Sequence, residues 1–343
     1  MNIALVADQR FFLGLWGTAM SLLATTVRAD DLTLYVVDCG LEDASWQKFA
    51  TAVNSHPYPP RLVRMSFPLG LLKGLYLPDG KKESAYARLF FPDLFDFSTL
   101  LYLDSDLLIF RDIHELARVD LADKAGAAVI NEDGDTLDFD IDPQACLQLG
   151  LDGKSNYFNT GLFEMNLQYW RDNDLTKACL DYLAHSQPRY VDQTAINAVM
   201  NEHIVELDRD WNRLVNRISP SGLVNPNCVV HYTNDKPWLV KQRTPAGVLF
   251  EQFCCDTGLE WTEPPESKTI WDRYEFLNLP RGIAYRLLAE VQSLRGNHDR
   301  SVAYAHAGQY WLEWFANRKA RHTECATAER QIRANCYTPD WLT

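Results

Sequence analysis

The sequence of 343 residues contains no run of eighteen consecutive apolar residues, so nothing in it reads as a membrane span. It also lacks a basic opening segment. Met1-Asn2-Ile3-Ala4-Leu5-Val6-Ala7-Asp8 carries no early positive charge and meets an aspartate at the eighth position, unlike a secretory leader. Acidic residues outnumber basic ones, 46 to 33. The net charge of −13 argues against a general nucleic-acid binder, which needs a basic face. No C-x-x-C pair occurs among Cys39, Cys146, Cys179, Cys228, Cys254, Cys255, Cys325 and Cys336, which leaves zinc-finger and dithiol redox motifs without support. Such scattered cysteines fit small, buried, reduced side chains and a cytoplasmic location. Internal repeats and low-complexity tracts are missing as well, so a solenoid is not indicated.

Apolar residues, in contrast, are plentiful. At 47% of the chain they supply a sizeable core, enough for one large domain with an appendage or for two domains. Strand and helix signals alternate from the start. Asn2 to Ala7, Leu32 to Asp38 and Arg61 to Met65 read as strands, with helices over Phe11 to Val27 and Glu42 to Val53 between them. This order predicts the first half of a Rossmann-like α/β sheet. Residues 67–82, with three glycines and two prolines, form an apolar loop or a lid. Glu83 to Phe91 is helical, and Ala125 to Ile130 is a further strand. The acidic loop 131–135 lacks the distal glutamate of an EF-hand, since Asp142 stands in its place.

The most informative stretch is Leu101-Tyr102-Leu103-Asp104-Ser105-Asp106-Leu107-Leu108-Ile109-Phe110. An apolar strand of a parallel sheet leads into two carboxylates, placed where open α/β sheets bind ligands. Asp-x-Asp is often a solvated turn. Inside this apolar frame, however, two carboxylates repel each other and resist desolvation unless a cation compensates them. A hard divalent metal shared with the phosphates of a ligand is the simplest compensator. Farther on, Asp192 stands at the opening of a helix as a candidate N-cap. Cys228 to Tyr232 forms a short strand that offers His231 as an imidazole ligand, with Lys236 nearby as a phosphate partner.

Past residue 245 the composition shifts. Leu287, Leu288, Val291 and Leu294 show helical spacing, as do Trp311, Leu312, Trp314 and Phe315 less regularly. Residues 266–343 hold eleven Lys and Arg against nine Asp and Glu, so the rest of the chain carries −15. This region is expected to be a helical subdomain packed on the α/β core, with contact to an anionic membrane surface as the competing reading.

Taken together, Ala7-Asp8, Tyr86-Ala87-Arg88-Leu89, Leu101 to Asp106, Tyr157-Phe158-Asn159-Thr160-Gly161 with Asn166-Leu167 and Trp170-Arg171, Asp192-Gln193, Trp211-Asn212, and His231-Tyr232 with Lys236-Pro237-Trp238 resemble the family 8 glycosyltransferases. The resemblance spans roughly residues 3–238. It implies a GT-A fold, a Rossmann-like mixed sheet flanked by helices, over 1–245, with a mainly helical extension over 246–343. It also implies retaining transfer of galactose or glucose from a UDP-sugar to a glycan or lipid-linked acceptor. Asp104, Asp106 and His231 would hold Mn²⁺, with Mg²⁺ as the alternative. Val6, Ala7 and Asp8 would cradle uracil and ribose. Ser105, Thr160 and Asn234 would join the donor site, and Lys236 would neutralise the departing diphosphate. Arg88, Asn159 and Asp192 would touch the donor sugar. Gln193 would face the anomeric carbon, and Asp192 is the alternative nucleophile.

Three positions depart from that pattern. Arg10 replaces a small polar residue, Asn131 replaces a carboxylate, and Asn234 replaces a glycine. They bear on the choice of donor sugar more than on the metal. Two rival readings stand beside the resemblance. One is a nucleotide-sugar-binding protein without turnover. The other is a haloacid dehalogenase-type phosphotransferase, from which Leu108 departs where Thr or Val is usual.

Overall fold

The computed structural model describes residues 1–26, 28–77, 83–131, 136–137, 140–141, 146–147, 149, 151–233, 236–241, 244–265, 278–294, 305, 309, 318–335 and 337. Its centre is a seven-stranded sheet in the order β3-β2-β1-β4-β7-β6-β8. The strands are β1 (Asn2–Ala7), β2 (Thr33–Asp38), β3 (Arg61–Ser66), β4 (Thr99–Leu103), β6 (Gly126–Ile130), β7 (Phe158–Asn166) and β8 (Ile204–Glu206). β3, β2, β1 and β4 run parallel, while β7 is antiparallel to both β4 and β6. The Asp104 strand therefore lies between a parallel and an antiparallel neighbour, and the sheet is mixed. A second, three-stranded sheet holds β5 (Leu107–Ile109), β10 (Val229–His231) and β9 (Arg213–Leu214), in that order.

Side-chain alternation divides the core in two. Ile3, Leu5, Leu101 and Leu103 join one apolar cluster, whereas Ala4, Leu100 and Tyr102 join another. Successive residues of a strand point to opposite faces, so a sheet covered on both sides yields two such cores. Helix α1 (Phe12–Thr25) covers the first face. The second is covered in part by a 3-10 segment (Glu83–Phe90) and helix α6 (Val191–Met200). The expected helices at Phe11 and Glu42 begin instead at Phe12 and at Asp43, the start of α2 (Asp43–Asn54), and α3 (Phe91–Leu94), α4 (Leu167–Asp172) and α5 (Leu175–His185) precede α6. Helix α7 (Pro245–Asp256) contributes Phe250, Phe253 and Cys254 to the first core, and α9 (Arg318–Ala334) contributes Ile332. Described elements past 245 are all helices, including α8 (Asn278–Leu294), on which Leu287, Leu288, Val291 and Leu294 are exposed. No helix among the described residues is long and apolar enough to cross a membrane. Residues 132–135, Trp311, Leu312, Trp314 and Phe315 lie outside the described residues, as does Cys336.

Helix α1 does more than cover the sheet. The backbone N–H groups of Leu107 and Ile109 donate to the hydroxyls of Thr18 (3.0 Å) and Ser21 (2.9 Å). On that side of β5 the helix hydroxyls take the place of a neighbouring strand, as buried backbone donors require. Gly14 permits the close approach: a Cβ there would stand 2.0 Å from the Ser105 carbonyl oxygen. The segment carrying Asp104 and Asp106 is thereby fixed from the helix side.

One buried acid sits away from the cavity. Glu164 on β7 is 8% exposed, and its Oε2 has no hydrogen-bond partner among the described residues. Its cross-strand neighbours, Leu101 and Ala127, both belong to the first core. Burial pushes its pKa from 4.5 to about 7. A raised folded-state value means the native protein resists ionisation that the unfolded chain undergoes. Below 4.5 both states are protonated and stability is unaffected, and the penalty then grows with pH until about 7. By linkage it reaches up to about 3 kcal/mol above that point. Glu164→Gln is thus expected to raise the unfolding temperature at pH 8, with the gain shrinking towards pH 5. Thermal melts at both values check this, and an equal gain at both would reject the electrostatic cause.

Candidate active site

Asp104, Asp106 and His231 meet because the two sheets share one turn. β4 ends at Leu103 and β5 starts at Leu107, so Asp104-Ser105-Asp106 crosses from the large sheet to the small one. Both ends of this turn are anchored by backbone bonds: Asp104 N–H donates to the Gly161 carbonyl (2.7 Å), and Tyr232 N–H donates to the Asp106 carbonyl (3.0 Å). β10 pairs antiparallel with β5, with His231 opposite Leu107, which brings the imidazole beside the turn. One ligand atom from each of the three side chains falls within 4.8 Å of the others. His231 Nε2 lies 3.2 Å from Asp106 Oδ1 and 3.6 Å from Asp104 Oδ2.

The electrostatics around Asp106 are pointed. It is 6% exposed, yet its Oδ1 has no hydrogen-bond partner among the described residues. Its Oδ2 is held by the Lys236 ammonium, which also donates to the Tyr232 carbonyl. Burial pushes the Asp106 carboxyl up, while the charge of the adjoining Lys236 ammonium pulls it down, and the carboxyl lies well below the usual carboxylate range. An ionised, buried oxygen without a donor, next to a ring nitrogen and a second carboxylate, is the arrangement a cation completes. Two carboxylates and an imidazole suit Mn²⁺ better than Ca²⁺. The residues present fit such an ion.

A cavity of about 440 Å³ opens in front of this cluster at the carboxyl ends of β1 and β4. Of the residues singled out by sequence, Val6, Ala7, Asp8, Arg88, Asp104, Ser105, Asp106, Asp192, Gln193 and Lys236 line it. Ser105 is fixed there by donating to the Val6 carbonyl (2.7 Å). Asn159, Thr160 and His231 do not line it. Asn159 is buried behind His231, and the Thr160 backbone serves its neighbours, its carbonyl accepting from Arg88 and its N–H donating to Gln193 Oε1 (3.1 Å). Asn234 lies outside the described residues.

Asp192 is not the N-cap. Tyr190 holds that position, and Asp192 sits in the first turn of α6, buried and paired with Arg88. Just ahead of the helix the Asp140 carboxylate accepts from the Arg189 (3.2 Å) and Tyr190 (3.0 Å) N–H groups. A carboxylate at a helix N-terminus satisfies orphan donors and the helix dipole together. Val191, just before Asp192, adopts φ +41°. That is strained for a β-branched side chain, and strain of this kind gathers at functional sites.

Sequence reasoning gave no role to Tyr102. Its hydroxyl donates to Asp104 Oδ1 (2.5 Å), and the Arg88 guanidinium lies over its ring, 4.7 Å from the centre. Burial and the Asp104 carboxylate keep the phenol well above its usual pKa, so it remains a donor. It follows Leu101 in the apolar run, and only a polar tip on a strand residue two before the first aspartate could have signalled it.

The model of the family described as Glycosyl transferase family 8 matches residues 2–242. The chain is a member of glycosyl transferase family 8. Relatives of this family 8 chain include General stress protein A of Bacillus subtilis, 24% identical, with the match covering 71% of this chain and 90% of that protein. Lipopolysaccharide 1,2-glucosyltransferase of Escherichia coli K12 is 25% identical, over 69% of this chain and 72% of that protein. The chain spans less than half of some other relatives, among them 41% of glycosyltransferase GlyB of Streptococcus pneumoniae. In fold it is similar to the galactosyltransferase LgtC solved with donor and acceptor sugar analogues, at TM-score 0.57 and 23% identity, covering 69% of this chain and 89% of that one. The α/β GT-A architecture expected from sequence is therefore the one found. Membership in family 8 also leaves the phosphotransferase alternative without support.

Proposed function

We propose that the protein transfers a hexose, galactose or glucose, from a UDP-sugar to a glycan or lipid-linked saccharide with retention of configuration, using Mn²⁺. The observation that carries this reading is the unpartnered Asp106 Oδ1 facing His231 Nε2 and Asp104 Oδ2 at the floor of a strand-end cavity. Relatives named as lipopolysaccharide glucosyl- and galactosyltransferases support the hexose and the class of acceptor.

In this reading Asp104, Asp106 and His231 hold the ion, which when bound draws electron density from the diphosphate leaving group. Asp8 with the Val6 and Ala7 backbone cradles the nucleoside. Lys236, held on Asp106, turns its ammonium towards the departing phosphate and offsets its charge. Arg88 and Asp192 sit at the sugar end. Retention normally suggests a carboxylate nucleophile. Here Asp192 is tied to Arg88, and the carbonyl of Gln193 accepts from the Thr160 N–H. Both groups are already engaged, which favours same-face attack by the acceptor hydroxyl, with a leaving-group oxygen taking its proton. Acceptor choice is assigned to the 67–82 loop and to the segment past 245.

Calorimetry of UDP with Mn²⁺ and with a chelator is the first test, and tight binding only with the ion is expected. A panel of UDP-hexoses with UDP release as readout then separates an enzyme from a passive binder, and NMR of the product gives the anomeric outcome. UDP affinity indifferent to the ion would sink the metal assignment, and an inverted linkage would sink the mechanism.

A further inference from the structure

Behind His231 the side-chain amides form a single file. His231 Nδ1 lies 2.8 Å from Asn212 Oδ1, Asn212 Nδ2 lies 2.9 Å from Asn159 Oδ1, and Asn159 Nδ2 lies 2.8 Å from Asn131 Oδ1. His231, Asn212 and Asn159 are each no more than 4% exposed. The oxygen and nitrogen of an amide have nearly the same outline, so the sense of such a chain needs an anchor that cannot turn round. Gly161 provides one. Its backbone N–H donates to Asn159 Oδ1 at 2.9 Å.

A backbone N–H can only donate, so the atom facing it must be the Asn159 carbonyl oxygen. That same oxygen faces Asn212, which must therefore present its NH₂ group. The Asn212 carbonyl is then left facing His231 Nδ1, which must carry the ring proton. In the neutral ring Nε2 is thus bare, and its lone pair points at the space between Asp104 Oδ2 and Asp106 Oδ1.

We infer that Asn212 and Asn159 are positioning residues that lock His231 in the Nδ1–H tautomer, with the sense of the lock set by the Gly161 backbone. Neither touches the reacting atoms. Asn159 thereby acts behind the ligand rather than on the donor sugar. The purpose of the lock rests on the metal site proposed above, whereas the tautomer itself does not. A ligand nitrogen kept free of its proton and fixed in direction by hydrogen bonding from the ring's other nitrogen is a general means of raising metal affinity.

The test uses the whole chain, ¹⁵N-labelled and metal-free. Long-range ¹H–¹⁵N correlation of the His231 ring, assigned by its loss in His231→Gln, reports which nitrogen is protonated. Titration with Mn²⁺ alone reports affinity. Wild type is expected to show only the Nδ1–H tautomer. Asn212→Ala should show the Nε2–H form or a mixture, with Mn²⁺ affinity lowered roughly 10- to 100-fold. Asn159→Asp keeps the oxygen that accepts from Gly161 and Asn212, so the ring should keep the Nδ1–H tautomer. Asn159→Leu should behave like Asn212→Ala. Thermal melts identify any variant that fails to fold. An Nε2–H ring in the wild-type protein overturns the inference whatever the variants do. So does a folded Asn212→Ala protein that keeps both the tautomer and the Mn²⁺ affinity. If wild type binds no Mn²⁺ at all, the proposed function fails, while the tautomer measurement still decides the lock.

Discussion

Asp106→Asn is expected to reduce metal-dependent UDP release roughly a thousandfold or more while leaving the protein folded. The two oxygens of Asp106 have different tasks: Oδ2 accepts from Lys236, and Oδ1 faces His231 without a donor. An amide of the same shape cannot serve both. Turning its NH₂ towards the Lys236 ammonium would oppose two donors, so the new side chain turns its oxygen to Lys236 and its NH₂ into the metal position. The half-buried lysine keeps a partner, which protects the fold from an uncompensated charge. The metal position loses a ligand and gains a donor that cannot bind a cation. Removing several kcal/mol of charge stabilisation from the transition state corresponds to about three orders of magnitude in rate. Initial rates of UDP release across a Mn²⁺ series check this. A rate within tenfold of wild type at any Mn²⁺ concentration would place the ion elsewhere.

Much of that geometry was visible in the amino-acid sequence, and the reason is local. The strands at Asn2 and Thr33 and the helix at Phe12 announce themselves through apolar runs and breaks, and the structure moves their ends by a residue or two. Asp104 and Asp106 stand out because an apolar frame makes carboxylates conspicuous. His231 stands out because its strand is short and ends on it. What was hidden depends on contacts between distant segments. Asn159 is expected from the resemblance to touch the donor sugar, and only its packing against Asn212, which comes from a separate loop, turns it inward. Asp192 reads as a helix cap, but Tyr190 holds that position, and Arg88, from a distant part of the chain, claims the aspartate. Tyr102 is indistinguishable from any apolar strand residue until its hydroxyl is seen on Asp104. Propensity and periodicity describe neighbours along the chain, and each of these roles belongs to a neighbour across it.

The same cross-chain packing makes Gly161→Ala a sharp probe of the site, because it adds one methyl group and alters no polar atom. A Cβ at this position would stand 2.3 Å from His231 Cε1 and 2.7 Å from Asp104 Oδ2. Distances below 3 Å require something to move. Neither neighbour is a loose side-chain end. Asn212 holds the ring through Nδ1, and Tyr102 holds the carboxylate through Oδ1. The backbone itself is no obstacle, since Gly161 lies in β7 and is not among the glycines with positive φ. The methyl therefore acts as a wedge between two of the three proposed ligands. Overpacking a well-filled site costs about 1–3 kcal/mol, so a lower melting temperature is expected, though not unfolding. The larger effect falls on the ligand geometry. Mn²⁺ affinity should drop at least tenfold, and metal-dependent UDP release should drop on the order of a hundredfold, because misplacing catalytic groups by about an ångström has that cost. Calorimetric Mn²⁺ titration beside initial rates provides both readings on one sample. Should the alanine variant bind Mn²⁺ and turn over like wild type, Asp104 and His231 cannot be the two sides of one metal site.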